Sequence, residues 1–500
     1  MGVDKEHLYT VSRPGSTEYI DSKPTGKPPV VVNVGWTWRL ALACMSTSIG
    51  AAIPIGWQLG VVNTPAAIIQ RWCNETVAER YDIHLSESGL NVLWSGIVSI
   101  LLVGGMTGSL TGALVANKIG RRGTMVLGEI GYLIAGALFF AAKPLKSIEF
   151  MFIARLIIGL CSGLITAVMP MYLTELAPMT LQGAVGVLCP LGLTSGVFFA
   201  QVAGLHALLG TEENWNILMS FSVILVLPSL ATLPWMCESP KYLDSVKKDR
   251  MRAIKELCKL RNLPQEIVIH ELEDFTSKDT TAPTEKWSVL RLLGSRELRL
   301  NLALVCALQA GQQLSGINAV FFYSTSIFES AGLSNQNAQY ASLGASCLNL
   351  VWSVIMIPVV NHHSRRFLAI LSTFTATVWL ISLTIFILYM KTVSFFSYMS
   401  VVGVLGYVVS YGIGLGPIPY FIGTELFDVG PRSSAMALGS VCNWSGNFIV
   451  GMSFLVIQNL IGAYSFLIFA ASTGLLTLFL YKCLHETNAK VLAERSPSRG

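Results

Sequence analysis

The stretch QQLSGINAVFFYS, Gln312 to Ser324, places two adjacent glutamines, a Ser-Gly pair and an asparagine inside a long apolar run. Such groups offer hydrogen-bond donors and acceptors without formal charge. A buried amide with no partner costs roughly 2–7 kcal/mol by transfer scales, so each must meet a ligand, a cavity or another polar group. More amides stand in apolar runs: Gln201, Gln309, Asn349, Asn443 and Asn447. Taken singly, any of them reads equally well as a cross-link between helices. Gln312, Gln313 and Asn318 together, beside a helix-weakening Ser315-Gly316, favour a binding site.

The chemistry suited to such a site is recognition of a neutral, hydroxyl-rich molecule such as a sugar. Tyr411, Tyr420 and Trp444 offer flat surfaces for its C–H faces. On a straight helix Asn318 points about 140° away from Gln313 and about 240° from Gln312. All three converge only if the helix bends or breaks near Ser315-Gly316. A second break is expected at GIGLGPIPYF (Gly412 to Phe421), where Pro417 and Pro419 remove amide donors among Gly406, Gly412, Gly414 and Gly416. This segment reads as a gate.

These groups need a host with little water. The 500 residues are 52% hydrophobic and 13% charged, with mean hydropathy +0.58, whereas soluble domains carry about 25% charged residues. The chain is therefore an integral membrane protein. Segments of roughly 20 apolar residues, enough to cross hydrocarbon, number about twelve, centred near residues 50, 105, 133, 160, 196, 225, 310, 350, 378, 408, 445 and 473. The fold class is all-α, with twelve membrane helices in two pseudo-symmetric six-helix halves. The expected organisation is a disordered tail (1–37), an N-terminal bundle (38–237), a helical linker domain (238–297), a C-terminal bundle (298–484) and a short tail (485–500).

An internal repeat supports the two halves. GRR (120–122) pairs with SRR (364–366), TEL (174–176) with TEL (424–426), and ESPKY (from 238) with HET (from 485), each offset by roughly 245–250 residues. A shared offset points to duplicated halves rocking around a central site, and the helix count excludes a seven-helix receptor. The Lys/Arg bias places both termini and the linker in the cytoplasm, leaving about six of 34 Lys+Arg outside. Asn74 of the outer Asn-Glu-Thr is then a glycosylation acceptor, while Asn443 lies within a span. The net charge of +5 carries no basic-aromatic pattern for nucleic acid. The ten cysteines form no metal-spaced cluster and read as small buried hydrophobes. No cofactor, metal or catalytic group is expected, so the chain is not an enzyme.

Mid-membrane acids are scarce. Glu129 is the nearest exception, expected at the cytoplasmic end within about two turns of Arg121 and Arg122. Ion-coupled carriers keep such costly groups for coupling, so the scarcity points to uncoupled movement of an uncharged solute. At the cytoplasmic face Arg121, Arg122, Glu175 and Glu238 of one half, and Arg365, Arg366, Glu425 and Arg432 of the other, read as a latch. It should be weak, since exposed pairs contribute about 0–1 kcal/mol each.

GRR (120–122), RLIIG (155–159), PMYLTELAP (170–178), ESPKYL (238–243), QQLSGINAVFFYS (312–324), GPIPYF (416–421), ELFDVGPR (425–432) and NWSGNF (443–448) together resemble the facilitative hexose transporters of animals, the GLUT type within the major facilitator superfamily. The likeness covers roughly residues 38–490. It implies a plasma-membrane uniporter whose C-terminal half binds sugar through Gln312, Gln313, Asn318 and Asn349, with Asn447 and Tyr420 as further contacts. QLS (313–315) resembles the glucose-preferring form. The implied partners are the hexose and the lipid bilayer; a single copy suffices for transport, and the oligomeric state stays open. Departures stand at Pro190, Gly412 and Tyr420, in place of a glutamine, a glutamate and a tryptophan that touch sugar. Gln182, NHHSRR (361–366) and HETNA (485–489) also depart, which suggests an altered gating balance. A fructose or mixed-hexose carrier, a proton symporter and a non-transporting sugar sensor remain as alternatives; sensors usually add tails longer than the about 35 and 15 residues here.

Overall fold

A computed structural model describes residues 35–487 apart from 179–180, 270, 273–288, 391, 394 and 428. The N-terminal tail, most of the C-terminal tail and part of the linker therefore lie outside the described residues.

Apolar composition makes long helices, and hydroxyl side chains mark where they start. Thr37, Ser86, Ser147, Ser334 and Ser364 each accept a hydrogen bond from a first-turn backbone N–H, the usual N-cap arrangement. Ten helical runs are long and apolar enough to cross a bilayer. The last of them, Ser434–Cys483, contains two helices, Val429–Ile461 and Ser465–Cys483. A broken pair, Arg299–Leu314 and Ile317–Ser330, supplies a further crossing, so the ten runs and this pair together account for twelve spans.

In chain order the first six spans are Trp38–Gly60, Glu87–Ile119, Arg121–Ala142, Ile148–Leu176, Ala184–Ala203 and Trp215–Trp235. The seventh is the broken pair. The eighth to tenth are Asn335–His362, Arg365–Tyr389, and Phe395–Ile413 with Ile418–Leu426. The last two helices are the eleventh and twelfth spans.

Both expected breaks are present. The seventh span stops at Leu314 and restarts at Ile317, with Gly316 at φ +88°, a backbone conformation that costs a side-chain-bearing residue about 1–2 kcal/mol. The tenth span unwinds between Ile413 and Ile418.

The end of the bundle next to the linker repeats one constellation in each half. Glu238 Oε1 accepts the backbone N–H groups of Arg121 (3.0 Å), Arg122 (3.2 Å) and Ser239 (2.9 Å). Ser239 Oγ donates to Glu175 (2.5 Å), and Arg121 grips Glu175 at 3.0 and 3.2 Å. In the second half Glu486 accepts from the N–H groups of Arg365 (3.0 Å) and Thr487 (3.1 Å). Thr487 Oγ1 donates to Glu425 (2.5 Å), and Arg365 reaches Glu425 at 3.3 Å. The repeat read from sequence is thus a repeat of bonds, and HETNA supplies a working counterpart of ESPKY. Burial raises the Glu238 carboxyl above its ordinary range, and the three backbone N–H groups pull it back.

Two corrections follow at this end. The latch is not exposed: the Arg121 and Glu175 side chains are 8% and 11% accessible. Breaking such a buried pair costs about 3–5 kcal/mol, well above the surface range. In this form each set of bonds closes within its own half. Arg366 and Arg432 do not bind the glutamates in the bonds seen here, because their guanidinium groups donate to the carbonyls of Tyr481 (2.8 Å) and Phe427 (3.1 and 3.2 Å). A carbonyl at a helix end is the nearer acceptor for each.

The described part of the linker rests on the first half. Arg261 bonds Glu271 (2.7 Å) and the Leu176 carbonyl (2.7 Å), and Thr37 Oγ1 donates to the Leu260 carbonyl (2.7 Å).

Candidate functional site

Breaking a membrane helix frees backbone groups that hydrocarbon cannot satisfy. The two broken spans satisfy each other. Gln312 Nε2 donates to the carbonyls of Leu415 (3.0 Å) and Gly416 (2.8 Å), and Gln309 Nε2 donates to that of Pro419 (2.9 Å). In return Tyr407 of the tenth span donates its hydroxyl to the Ser315 carbonyl (2.8 Å). Ser372 of the ninth span accepts from Leu415 N–H (2.9 Å). Pro417 thus ends a turn clasped by the seventh span, and Pro419 lies in the first turn of the helix that follows.

The amides join into one network. Asn443 Nδ2 donates to the Oε1 atoms of Gln309 (2.9 Å) and Gln312 (2.7 Å). Gln313 Nε2 donates to Asn443 Oδ1 (3.2 Å), and Asn318 Nδ2 to Gln313 Oε1 (2.5 Å). The break at Gly316 is what lets Asn318 face Gln313, as the angular argument required. Gln309 to Asn318 lie about 15–30 Å along the helix from Arg299 at 1.5 Å per residue, near mid-membrane. Hence Gln312, Gln313 and Asn318 come together, but in this conformation they are partners of one another and of the unwound tenth span.

Asn349 and Asn447 stand apart. Both are buried. Asn447 Oδ1 has no partner, and no bond to the Asn349 side chain is found among the described residues. Tyr420 is 53% exposed and stands apart from the network. Trp444 Nε1 donates across the halves to Ser109 Oγ of the second span (2.8 Å). Asn443 is the group that sequence reasoning left out of the site, although it lies one turn before Asn447. Its type was the signal; its position as hub is a tertiary fact.

Gly412, where the family pattern places a glutamate, faces the indole of Trp352 from the eighth span. A Cβ there would fall 2.5 Å from Trp352 Cδ1. The indole fills the volume a side chain would need, and its Nε1 is buried without a partner.

The halves are joined at the end far from the linker by a second polar cluster. Asn63, just beyond the first span, donates to Ser324 (2.7 Å) and Ser342 (2.8 Å) and accepts from Thr325 N–H (3.2 Å). Gln201 of the fifth span accepts from Ser346 (2.6 Å). These bonds close the far end between halves. Asn63→Ala removes three bonds that cross between the halves, each contributing about 0.5–1.5 kcal/mol net. The expected result is a shift of at least tenfold toward the far-end-open form, read as faster labelling of a cysteine introduced at Ser346. Unchanged labelling would show that the cluster does not hold the closure.

Asn74 sits half-buried within the helix Ala66–Tyr81 between the first and second spans. Glu129 lies eight residues, about two turns, from Arg121, where the sequence placed it; it is buried and bonded to Ser229 of the sixth span (2.7 Å).

The family model described as "Sugar (and other) transporter" matches residues 43–497. The chain is 36% identical over 456 residues to the solute carrier family 2 facilitated glucose transporter member 5 of horse, Equus caballus, covering 91% of each chain. It is 37% identical over 459 residues to member 3 of mouse, Mus musculus, covering 92% of each. Among solved structures it is similar to the partially occluded inward-open xylose transporter XylE from E. coli, with TM-score 0.74 and 21% identity, over 90% of this chain and 99% of that one. The proton:xylose symporter XylE bound to 6-bromo-6-deoxy-D-glucose aligns with TM-score 0.70 and 22% identity, over 90% and 96%. Those structures establish the fold.

Proposed function

The chain belongs to the sugar transporter family and has the major facilitator fold, and from that premise we propose that it is a facilitative hexose uniporter carrying D-glucose by alternating access. The observation that carries this reading is the uncharged amide network built on two mutually capped helix breaks. Gln312, Gln313, Asn318, Asn349 and Asn447 bind the hydroxyls, and Tyr420 closes over the ring. The sugar enters by exchanging partners: its hydroxyls replace amide–amide bonds, while the free Asn349 amide and Asn447 Oδ1 take new ones. Because hydroxyls exchange for bonds already made, the net gain is small. Binding near millimolar strength, about −4 kcal/mol, is expected.

The linker end, which gathers the basic residues, is cytoplasmic in this reading, and the protein works in the plasma membrane with Asn74 glycosylated. The far-end closure then makes this the form open to the cytoplasm, with the charged constellations ready to approach each other in the opposite form. The organisation into two bundles, a linker domain and two tails follows the repeat.

Counterflow in reconstituted vesicles tests the function. Labelled D-glucose should accumulate transiently against unlabelled D-glucose, and an uncoupler should leave it unaffected. No counterflow would sink transport in favour of a sensor. Stronger competition by fructose than by glucose would transfer the assignment to fructose.

A further inference from the structure

Glu129 is the one carboxyl buried in the middle of a span among the described residues. It lies eight residues into the third span, about 12 Å from the linker end at 1.5 Å per residue. Oε1 accepts from Ser229 Oγ (2.7 Å), and Ser229 Oγ lies 2.8 Å from Ser46 Oγ of the first span. Oε2 is buried without a partner. An ionised carboxylate taken out of water needs a cation or several donors. This one has a single hydroxyl.

The neighbours offer no compensation. The Arg155 guanidinium of the fourth span is committed to the carbonyls of Gln58, Ile97 and Val98. Arg121 is bound to Glu175, and Arg122 lies two turns nearer the linker. Tyr132 pairs with Ser162, and Tyr172 with the Cys237 carbonyl. Cys161 of the fourth span and Cys44 of the first are buried free thiols, and the sixth span, Trp215–Trp235, carries no titratable group. The second span carries its charges only at its ends, Glu87 far from the linker and Lys118 next to it.

The first span passes this site in a single π-helical turn, Ser48–Ala52, an irregularity found mostly at functional sites. Gly50 makes the approach possible, since a Cβ there would fall 3.1 Å from Glu129 Oε1. About two turns beyond Gly50 the same span carries Gln58, and beyond its end lies Asn63, which ties the far end shut.

We propose that Glu129 is a proton-binding site, loaded from the linker side, whose proton holds the first span against the third and sixth and so favours the far-end-closed form. Ionisation calls for water at the seam and loosens the helix that carries Asn63. No buried acid stands between Glu129 and the far end among the described residues, so the proton returns to the side it came from. It regulates the carrier and is not carried through. This rests on the transport reading above; protonation is therefore also read directly.

The test uses the purified full chain in vesicles. Infrared difference spectra of the wild type should show a protonated carboxylic acid band that disappears as pH rises, absent in Glu129→Gln. Glucose counterflow should change about fivefold or more between pH 5.5 and 8.5, the lower range of ordinary coupling, and should be flat in Glu129→Gln. The proposal is overturned by a wild type lacking the band at every pH, by a band that survives in Glu129→Gln, or by a variant that keeps the wild-type pH profile. If Glu129→Gln does not fold, the wild-type band and its loss with pH decide. If counterflow is absent altogether, the transport reading fails, while the band still reports the proton site.

Discussion

Gln312→Leu is expected to abolish most hexose uptake while the protein still reaches the cell surface. The substitution keeps the volume but removes two donors and an acceptor. It strips the Leu415 and Gly416 carbonyls of their shared partner and deprives Asn443 of its 2.7 Å acceptor. Each buried group so orphaned costs about 1–3 kcal/mol, and the losses couple because all three sit in one network. A net 3 kcal/mol against the binding-competent arrangement lowers uptake about 100-fold at 1.4 kcal/mol per tenfold. The measurement is initial uptake rate normalised to surface protein. A role as simple glue predicts the opposite pattern, less protein at the surface and an unchanged KM per molecule. Normal uptake would remove Gln312 from the site.

The second large effect concerns folding. Gly159→Leu should prevent assembly altogether. The second and fourth spans meet backbone to backbone: a Cβ at Gly159 would lie 1.9 Å from the Leu101 carbonyl, and one at Gly163 2.2 Å from the Gly105 carbonyl. Membrane helices associate through such close small-residue contacts, having no hydrophobic drive between them. Arg155, one turn earlier, donates to Ile97 and Val98 of the same partner helix. Separating the helices would therefore also strand a buried guanidinium. A fluorescently tagged Gly159→Leu chain should elute as aggregate in detergent size-exclusion chromatography. A monodisperse peak would show that the crossing can relax.

Much of this was legible in residue types. Pro417 and Pro419 cannot continue a helix, and Ser315-Gly316 beside convergent amides required the seventh span to break. The membrane class followed from the shortage of charge. What could not be read was pairing. A freed carbonyl looks the same at every residue, so the reciprocal capping of the seventh and tenth spans was invisible. The amides could be seen to need partners, but not that Leu415 and Gly416 would supply them. Glu129 was placed within about two turns of Arg121, where it lies, but its bonding partner could not be read. The third span starts at Arg121, and Ser229 arrives from a hundred residues further along the chain. The arginines and glutamates of the linker end were recognised by type, whereas their burial, and their confinement to one half each, depend on packing that local sequence does not express. Glu486 escaped notice because HETNA departs from the family pattern in letters but not in bonds.

The bonds that span the two halves have a property that the constellations within each half lack. They join hydroxyls, amides, a backbone N–H and an indole: Asn63 with Ser324, Ser342 and Thr325, Gln201 with Ser346, and Trp444 with Ser109. None carries a formal charge. Mobile ions screen only charged groups, and a membrane voltage performs work only on charge that moves through it. Among the described residues, the seam that is closed in this form is thus built from materials that neither ionic strength nor membrane potential can grip.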